Sequence, residues 1–211
     1  MKRLLGLAIL FVSACRGGSQ PLSNWTAELA PCRQSGELLK HGHMEIGLWT
    51  KVSNDSLAAE IRRAMDFWAN VLDMRWQERH DSQTCSIQVV DGSPGLFRNN
   101  LIAARSQFAD RRSFHGWIAF NPKCPLTVVD AYLTAIHEIG HMLGLQHSPN
   151  PKSVMYFLDP ESPPTLDEKD LALLRARHKL RQRGADLAAF AARGGQPSQG
   201  TVEPLTSGMS R

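Results

Sequence analysis

The 211-residue sequence predicts an α/β or α+β domain: a twisted mixed sheet of about four to five strands, a long first helix, a second helix and a closing C-terminal helix. Three observations predict it. Short runs of strand character recur at 43–50, 85–90, 101–107 and 116–120. Apolar residues at three- and four-residue steps mark helices at about 56–76, 128–143 and 166–180. A composition of 42% hydrophobic and 21% charged residues is enough to bury a core.

Each element has its own signature. His43 to Thr50 alternates, with Met44, Ile46 and Leu48 set against Glu45, Gly47 and Trp49. In the long helix, Ser56 to Trp76, the residues Leu57, Ile61, Ala64, Met65, Trp68, Val71 and Leu72 form one apolar stripe, with Asp55 as N-cap. Cys85 to Val90 reads as the second strand, Asp91 to Gly95 as a turn and Leu101 to Gln107 as the third strand. Gly116 to Phe120 is the fourth, and a helix starts near Thr127 or Val128 and runs to about Leu143. After a Pro- and Ser-rich loop, Leu166 to Leu180 forms the last helix, ending in a run of Arg and Lys that reads as a solvated helix end facing the negative pole of the helix dipole, with a patch for acidic substrate or lipid headgroups as the alternative. The five tryptophans read as core, and His41, His43, His80 and His115 carry no assigned role.

The N-terminal segment predicts export. Lys2 and Arg3 precede the apolar run Leu4 to Val12, too short to span a bilayer but suited to a signal peptide. The run ends in Val12-Ser13-Ala14-Cys15, which resembles the bacterial lipoprotein cleavage box. That resemblance implies a lipid on Cys15 and a protein held at a membrane surface by acyl chains. An ordinary cleaved signal and a buried N-terminal helix are the alternatives. The expected organisation is a signal peptide at 1–14, a tether at 15–40, the folded domain at 41–183 and a flexible tail at 184–211. The net charge of +4 falls to about +2 once Lys2 and Arg3 are removed, too little to argue for nucleic acid. A monomer is expected. Among Cys32, Cys85 and Cys124, one disulfide and one leftover thiol is the simplest arrangement, with three pairings open.

The chemistry sits in His137-Glu138-Ile139-Gly140-His141-Met142-Leu143-Gly144-Leu145-Gln146-His147. His137 and His141, four apart on a helix, project from one face and suit one zinc ion. Glu138 lies about 100° round the helix, beside the open coordination position rather than on the ion. Gly144 can take positive φ, end the helix and swing His147 to the same ion. Three neutral nitrogens leave room for a water whose pKa falls to about 7. Five fixed positions over about 200 starts give roughly one chance match per 10⁴ chains of this length.

This segment resembles the signature of the metzincin zinc peptidases, HExxHxxGxxH followed by a Met-containing turn, here Ser153-Val154-Met155-Tyr156. Ser148, Pro151 and Met155, one, four and eight residues after His147, look like the matrixin branch. Ile61 to Met65 with Trp68, Ile102 to Arg105, and Leu166 with Asp170-Leu171 are similar to the first helix, the edge strand and the closing helix of that branch. The resemblance implies a zincin-like fold and a zinc-dependent endopeptidase acting on protein or peptide. It implies one catalytic zinc on His137, His141 and His147, Glu138 as general base and Met155 as an apolar floor under the metal. The substrate would pair with the edge strand near Leu101 to Gln107.

Departures from the pattern carry expectations too. The loop Asp91 to Asn100 lacks the His and Asp ligands for a structural zinc and for calcium, so one zinc is expected and calcium stays open. Phe157 stands where matrixins have Pro, and where astacins and serralysins have a Tyr near the metal. No folded prodomain fits between Cys15 and the first strand. For Cys32 three roles remain open: a disulfide with Cys85 or Cys124, a thiolate covering the zinc, or an idle thiol. The competing reading of the whole chain is a non-catalytic zinc-containing binding or adhesion module at the cell surface. It is disfavoured by the intact Glu138 and by the open fourth ligand position.

Overall fold

A computed structural model describes residue 32 and residues 44–81, 84–97, 100–110, 114–156 and 165–181. The expected signal peptide with Cys15, nearly all of the tether, Phe157 and the expected tail lie outside the described residues. In chain order the elements are β1 (Met44–Lys51), α1 (Asp55–Val71), β2 (Met74–Glu78), β3 (Ser86–Asp91), a single 3-10 turn (Pro94–Leu96), β4 (Ala104–Asp110), β5 (His115–Phe120), α2 (Val128–Met142) and α3 (Glu168–Arg177). The five strands form one sheet in the order β2-β1-β3-β5-β4. The first four run parallel and β4 pairs antiparallel with β5, so the sheet is mixed as the sequence predicts. Among the described residues no helix is long and apolar enough to cross a membrane.

Alternation in the strands puts Met44, Ile46, Leu48, Ile87, Val89 and Ile118 into one core with the facing stripes of α1 and α2. Trp68 is the largest of the fully buried side chains; it stacks edge-on against Phe67, and its indole N–H donates to the Ile136 carbonyl of α2 at 3.1 Å. That bond satisfies a polar atom in the middle of the helix–helix contact, where an unpaired one is costly. The other described tryptophans sit at the edge of the core, Trp76 packed against the main cluster and Trp117 against a smaller one. Trp49, Trp76 and Trp117 are half-buried, and the Lys51 ammonium lies 3.5 Å from the centre of the Trp49 ring.

The largest correction concerns the first helix. The periodicity predicts it through Trp76, but it ends at Val71, and Met74 to Glu78 becomes edge strand β2 beside β1. No Gly or Pro marks the break. It is made by the chain beyond α3: Asp73 N–H donates to the Lys179 carbonyl, Arg181 N–H donates to the Val71 carbonyl, and the Arg181 guanidinium donates to the carbonyls of Leu72 (3.0 Å) and Met74 (3.1 Å). The basic run after α3 is therefore more than a solvated helix end. Arg181 closes the end of α1, Lys179 pairs with Asp73 at 3.1 Å, and Arg177 reaches the metal-site loop.

Other boundaries move less. The α1 cap is Asn54, one residue before the predicted Asp55; its side chain accepts from the Leu57 N–H. β4 begins at Ala104 rather than Leu101, because Ile102 and Ala103 are held outside the ladder: their carbonyls accept from the Asn121 side chain and backbone. α3 spans ten residues, bounded by an Asp167–Asp170 capping box and by His178, whose N–H closes back on the Leu174 carbonyl. None of the three expected cysteine pairings is present: Cys32 and Cys85 are free thiols, and Cys124 is in a disulfide with neither of them.

Candidate metal centre

α2 begins at a capping box, with Thr127 and Asp130 each accepting the other's backbone N–H, which fixes its start ten residues before the first histidine. Its mostly apolar face packs on α1 and the sheet. His137 and His141 then fall on one face, and their rings lie edge-to-face with centres 4.7 Å apart. The turn after the helix delivers the third imidazole. Gly144 has φ +93°, and its N–H and that of Leu145 bond back to the carbonyls of His141 and Gly140. A Cβ on Gly144 would also lie 2.2 Å from Arg177 Nη1, which donates to the Gly144 carbonyl at 2.9 Å. The positive φ requires glycine at this position, and a Cβ would also displace the Arg177 guanidinium from its bond.

One donor atom from each of His137, His141 and His147 lies within 4.8 Å of the others, so the three could hold one metal ion. The tautomers follow from the partners. His137 Nδ1 faces the Val154 carbonyl at 2.8 Å and His141 Nδ1 faces the Leu145 carbonyl at 3.0 Å. A carbonyl only accepts, so both Nδ1 atoms carry the proton and both Nε2 atoms keep a lone pair. His141 Nε2 and His147 Nε2 are 3.1 Å apart. Two nitrogens about 2.05 Å from a tetrahedral zinc would be roughly 3.3 Å apart, so the donor set fits that ion. Burial, helped by the His141 and His147 charges and opposed by the Val154 carbonyl, holds His137 well below the ordinary imidazole range. Burial first and His141 second lower His147 to about 4. Near neutral pH both are therefore uncharged, the form that can bind a metal.

Glu138 is buried beside them, and its Oε2 accepts a 2.5 Å hydrogen bond from the Ser106 hydroxyl on β4. The structure thus brings together His137, Glu138, His141 and His147. Met155 joins from below: it is fully buried, with Sδ 2.6 Å from the point where a Cβ on Gly140 would lie. Gly140 sits between the two helical histidines, so its missing side chain is what lets the Met-turn approach α2.

The loop carrying that turn is held from α3. Ser148 N–H donates to the Met155 carbonyl, and the Ser148 hydroxyl donates to Asp167 at 2.7 Å. The Ser153 hydroxyl donates to the buried Asp170 at 2.6 Å while accepting from the Met155 N–H. Burial pushes the Asp170 carboxyl up, against the lowering hydrogen bonds from Ser153 and the Asp167 backbone. The sequence does not mark Ser106 or Asp167, and it marks Ser148 and Ser153 only as members of the motif, not for the bonds they make. Asp167-x-x-Asp170 does carry a local signal, a capping box before a helix, but its second task of holding the loop does not show in spacing. Cys32 lies elsewhere. Its thiol is buried and hydrogen-bonded to that of Cys85, not among the histidines.

Comparison with known proteins follows this geometry. The chain is 29% identical over 133 residues to Metalloendoproteinase 1 of Glycine max, covering 56% of this chain and 43% of that protein. It is 26% identical over 144 residues to Matrix metalloproteinase-16 of Homo sapiens, covering 57% and 23%. The chain thus spans less than half the length of these curated relatives. A 25-residue stretch is 68% identical to Macrophage metalloelastase of Rattus norvegicus, covering 12% of this chain and 5% of that protein. Among solved structures, High choriolytic enzyme 1, a hatching enzyme zinc-protease of Oryzias latipes, aligns at 18% identity and TM-score 0.38 over 61% of this chain and 55% of that one. The family profile described as Matrixin matches residues 45–176, which takes in all the described strands and helices except the first residue of β1 and the last of α3, and the chain belongs to the matrixin family.

Proposed function

We propose that the chain is a zinc-dependent endopeptidase in which His137, His141 and His147 hold one catalytic zinc and Glu138 is the general base. The observation that carries this reading is the convergence of three imidazole donors beside a buried carboxylate and the edge strand β4. When bound, the ion supplies a Lewis acid for the scissile carbonyl and a lowered pKa for water at the same place. Ser106 occupies Glu138 Oε2, which leaves Oε1 to take the proton of the attacking water. Glu138 then passes that proton to the leaving amine, so one carboxylate serves both halves of the reaction. The substrate is an extended protein or peptide segment that adds antiparallel to β4 through main-chain hydrogen bonds. Met155 and Gly140 give the helix an apolar floor, which keeps His137 and His141 in register with each other. Cleavage of an unstructured peptide library by the purified protein, with and without a chelator, tests the reading. A zinc-loaded, folded protein that cleaves no member would return the chain to the binding-module reading.

Ser106 has a measurable share in this mechanism. Ser106→Ala removes a hydrogen bond to a carboxylate, and the cleavage rate should fall roughly tenfold. Zinc content should stay at the wild-type level, because Ser106 touches Glu138 and none of the three histidines. A loss of metal in that variant would show that Ser106 supports the fold of the site rather than the base.

The export reading is also proposed. Its support is the charged start Lys2-Arg3, the apolar run to Val12 and the box ending in Cys15. The protein would then sit at a membrane surface through acyl chains on Cys15, and Cys15→Ser should move it to the soluble fraction or stop its processing. The Cys15 sulfur can carry a lipid or join a disulfide, not both. The mass of the N-terminal peptide from membrane-extracted protein decides this: an acylated Cys15 supports the anchor, and an unacylated one contradicts it.

A further inference from the structure

We propose that Cys32 and Cys85 are a redox-active thiol pair, forming a disulfide that fastens the chain at residue 32 to the start of β3. Their two thiols are hydrogen-bonded to each other although 53 positions separate them in sequence. Cys32 is 3% exposed and belongs to the main hydrophobic core, so the chain at residue 32 is already seated against the domain. Cys85 is half-buried and packs against the same core.

The backbone at Cys85 is a second, independent observation. Its φ is +60°, the left-handed region that favours glycine, and a side chain is retained there. The conformation is held from both sides: the Cys85 carbonyl accepts from Gly47 N–H at 2.7 Å, and the next N–H, that of Ser86, donates to the Phe114 carbonyl at 3.1 Å. Glycine would relieve the torsion but lose the thiol that meets Cys32.

The two thiols are not equivalent. The hydrogen bond from Cys32 lowers the Cys85 thiol, and nearby Arg79 adds to this against the opposing effect of burial. The Cys32 thiol is raised by its bond with Cys85 and by burial. Cys85 is half-buried and Cys32 only 3% exposed, so an oxidant reaches Cys85 first, which makes Cys85 the attacking sulfur and Cys32 the resolving one. With oxidised glutathione as oxidant, the Cys85 thiolate attacks one glutathione sulfur and displaces the first glutathione thiolate, which takes up the Cys85 proton. Cys32 then gives up its proton, attacks Cys85 Sγ and displaces the second. Two protein thiols are oxidised to one disulfide and one oxidised glutathione is reduced to two thiols. The pair lies apart from the histidine cluster, so the inference stands independently of the peptidase reading.

The test uses the full chain exposed to oxidised glutathione, alkylated without reductant, digested and mapped by mass. The expected result is a peptide pair joined through Cys32 and Cys85. Cys32→Ser should stop at a glutathione adduct on Cys85, whereas Cys85→Ser should leave Cys32 unmodified. The closed loop is long, so each single variant and the double variant should melt lower than oxidised wild type by the same amount, on the order of 10 °C. Both thiols found alkylated after oxidation, or either one joined to a different cysteine, would overturn the proposal.

Discussion

Glu138→Gln should keep the zinc ion and lose about 10²- to 10⁴-fold in the rate of peptide cleavage, the range that general acid–base catalysis supplies. The reason is the division of labour at the site. On the proposed reading the three imidazoles are the protein's donors to the ion, whereas Glu138 on α2 is tied to Ser106 on β4 instead. Glutamine keeps the shape and one accepting oxygen but cannot take a proton. His137→Ala and His141→Ala should behave in the opposite way. Each removes a ligand, and each also leaves a carbonyl, Val154 or Leu145, without its present imidazole donor. Zinc content and cleavage rate should fall together in those variants. Measuring metal content beside rate separates the two classes, and a Glu138→Gln protein with wild-type activity would remove the carboxylate from the mechanism.

Trp68→Ala should give the largest loss of stability, about 3–5 kcal/mol, which is the usual range for deleting a fully buried large aromatic side chain. Three things are lost at one position: the largest buried side chain, the edge-on contact with Phe67 and the indole bond to the Ile136 carbonyl. The melting temperature should fall on the order of 10 °C. Zinc affinity should fall as well, since Ile136 precedes the first ligand and the indole ring lies 3.1 Å from where a Cβ on Gly140 would be. Trp68→Phe, which keeps most of the ring contact, should lie between the two. A Trp68→Ala protein that melts within a degree or two of wild type would contradict the packing described for α1 on α2.

What could be read from the sequence is what local chemistry decides. The eleven residues from His137 to His147 carry their own geometry, because a four-residue helical step and one glycine at positive φ suffice to aim three imidazoles at a point. α2 was legible from end to end for a related reason: Thr127 and Asp130 cap it locally and Gly144 stops it locally. The Met-turn could be seen as a motif, and its contact with Gly140 follows from the absence of a Cβ there.

Where distant residues decide, the sequence was silent. Nothing between Val71 and Met74 announces that α1 stops, since the donors that hold that break are on Arg181, more than a hundred positions later. Strand β2 was read as helix because Leu72 and Trp76 continue the four-residue step by coincidence of spacing. Ser106 lies inside a run read as strand, and only the fold shows that its hydroxyl points at Glu138. Ser148 and Ser153 belong to the motif, but only the fold shows that α3 presents Asp167 and Asp170 to them. Likewise nothing in the spacing selects the Cys32–Cys85 contact from the three possible pairings.

The most direct measurement is a zinc back-titration. Chelator-treated protein receives zinc in sub-stoichiometric steps while cleavage of an unstructured peptide is followed. One three-histidine site beside one base predicts no cleavage at zero zinc, a linear rise, and a plateau at one equivalent per chain. Full cleavage by metal-free protein, or a rise that continues beyond one equivalent, would contradict it.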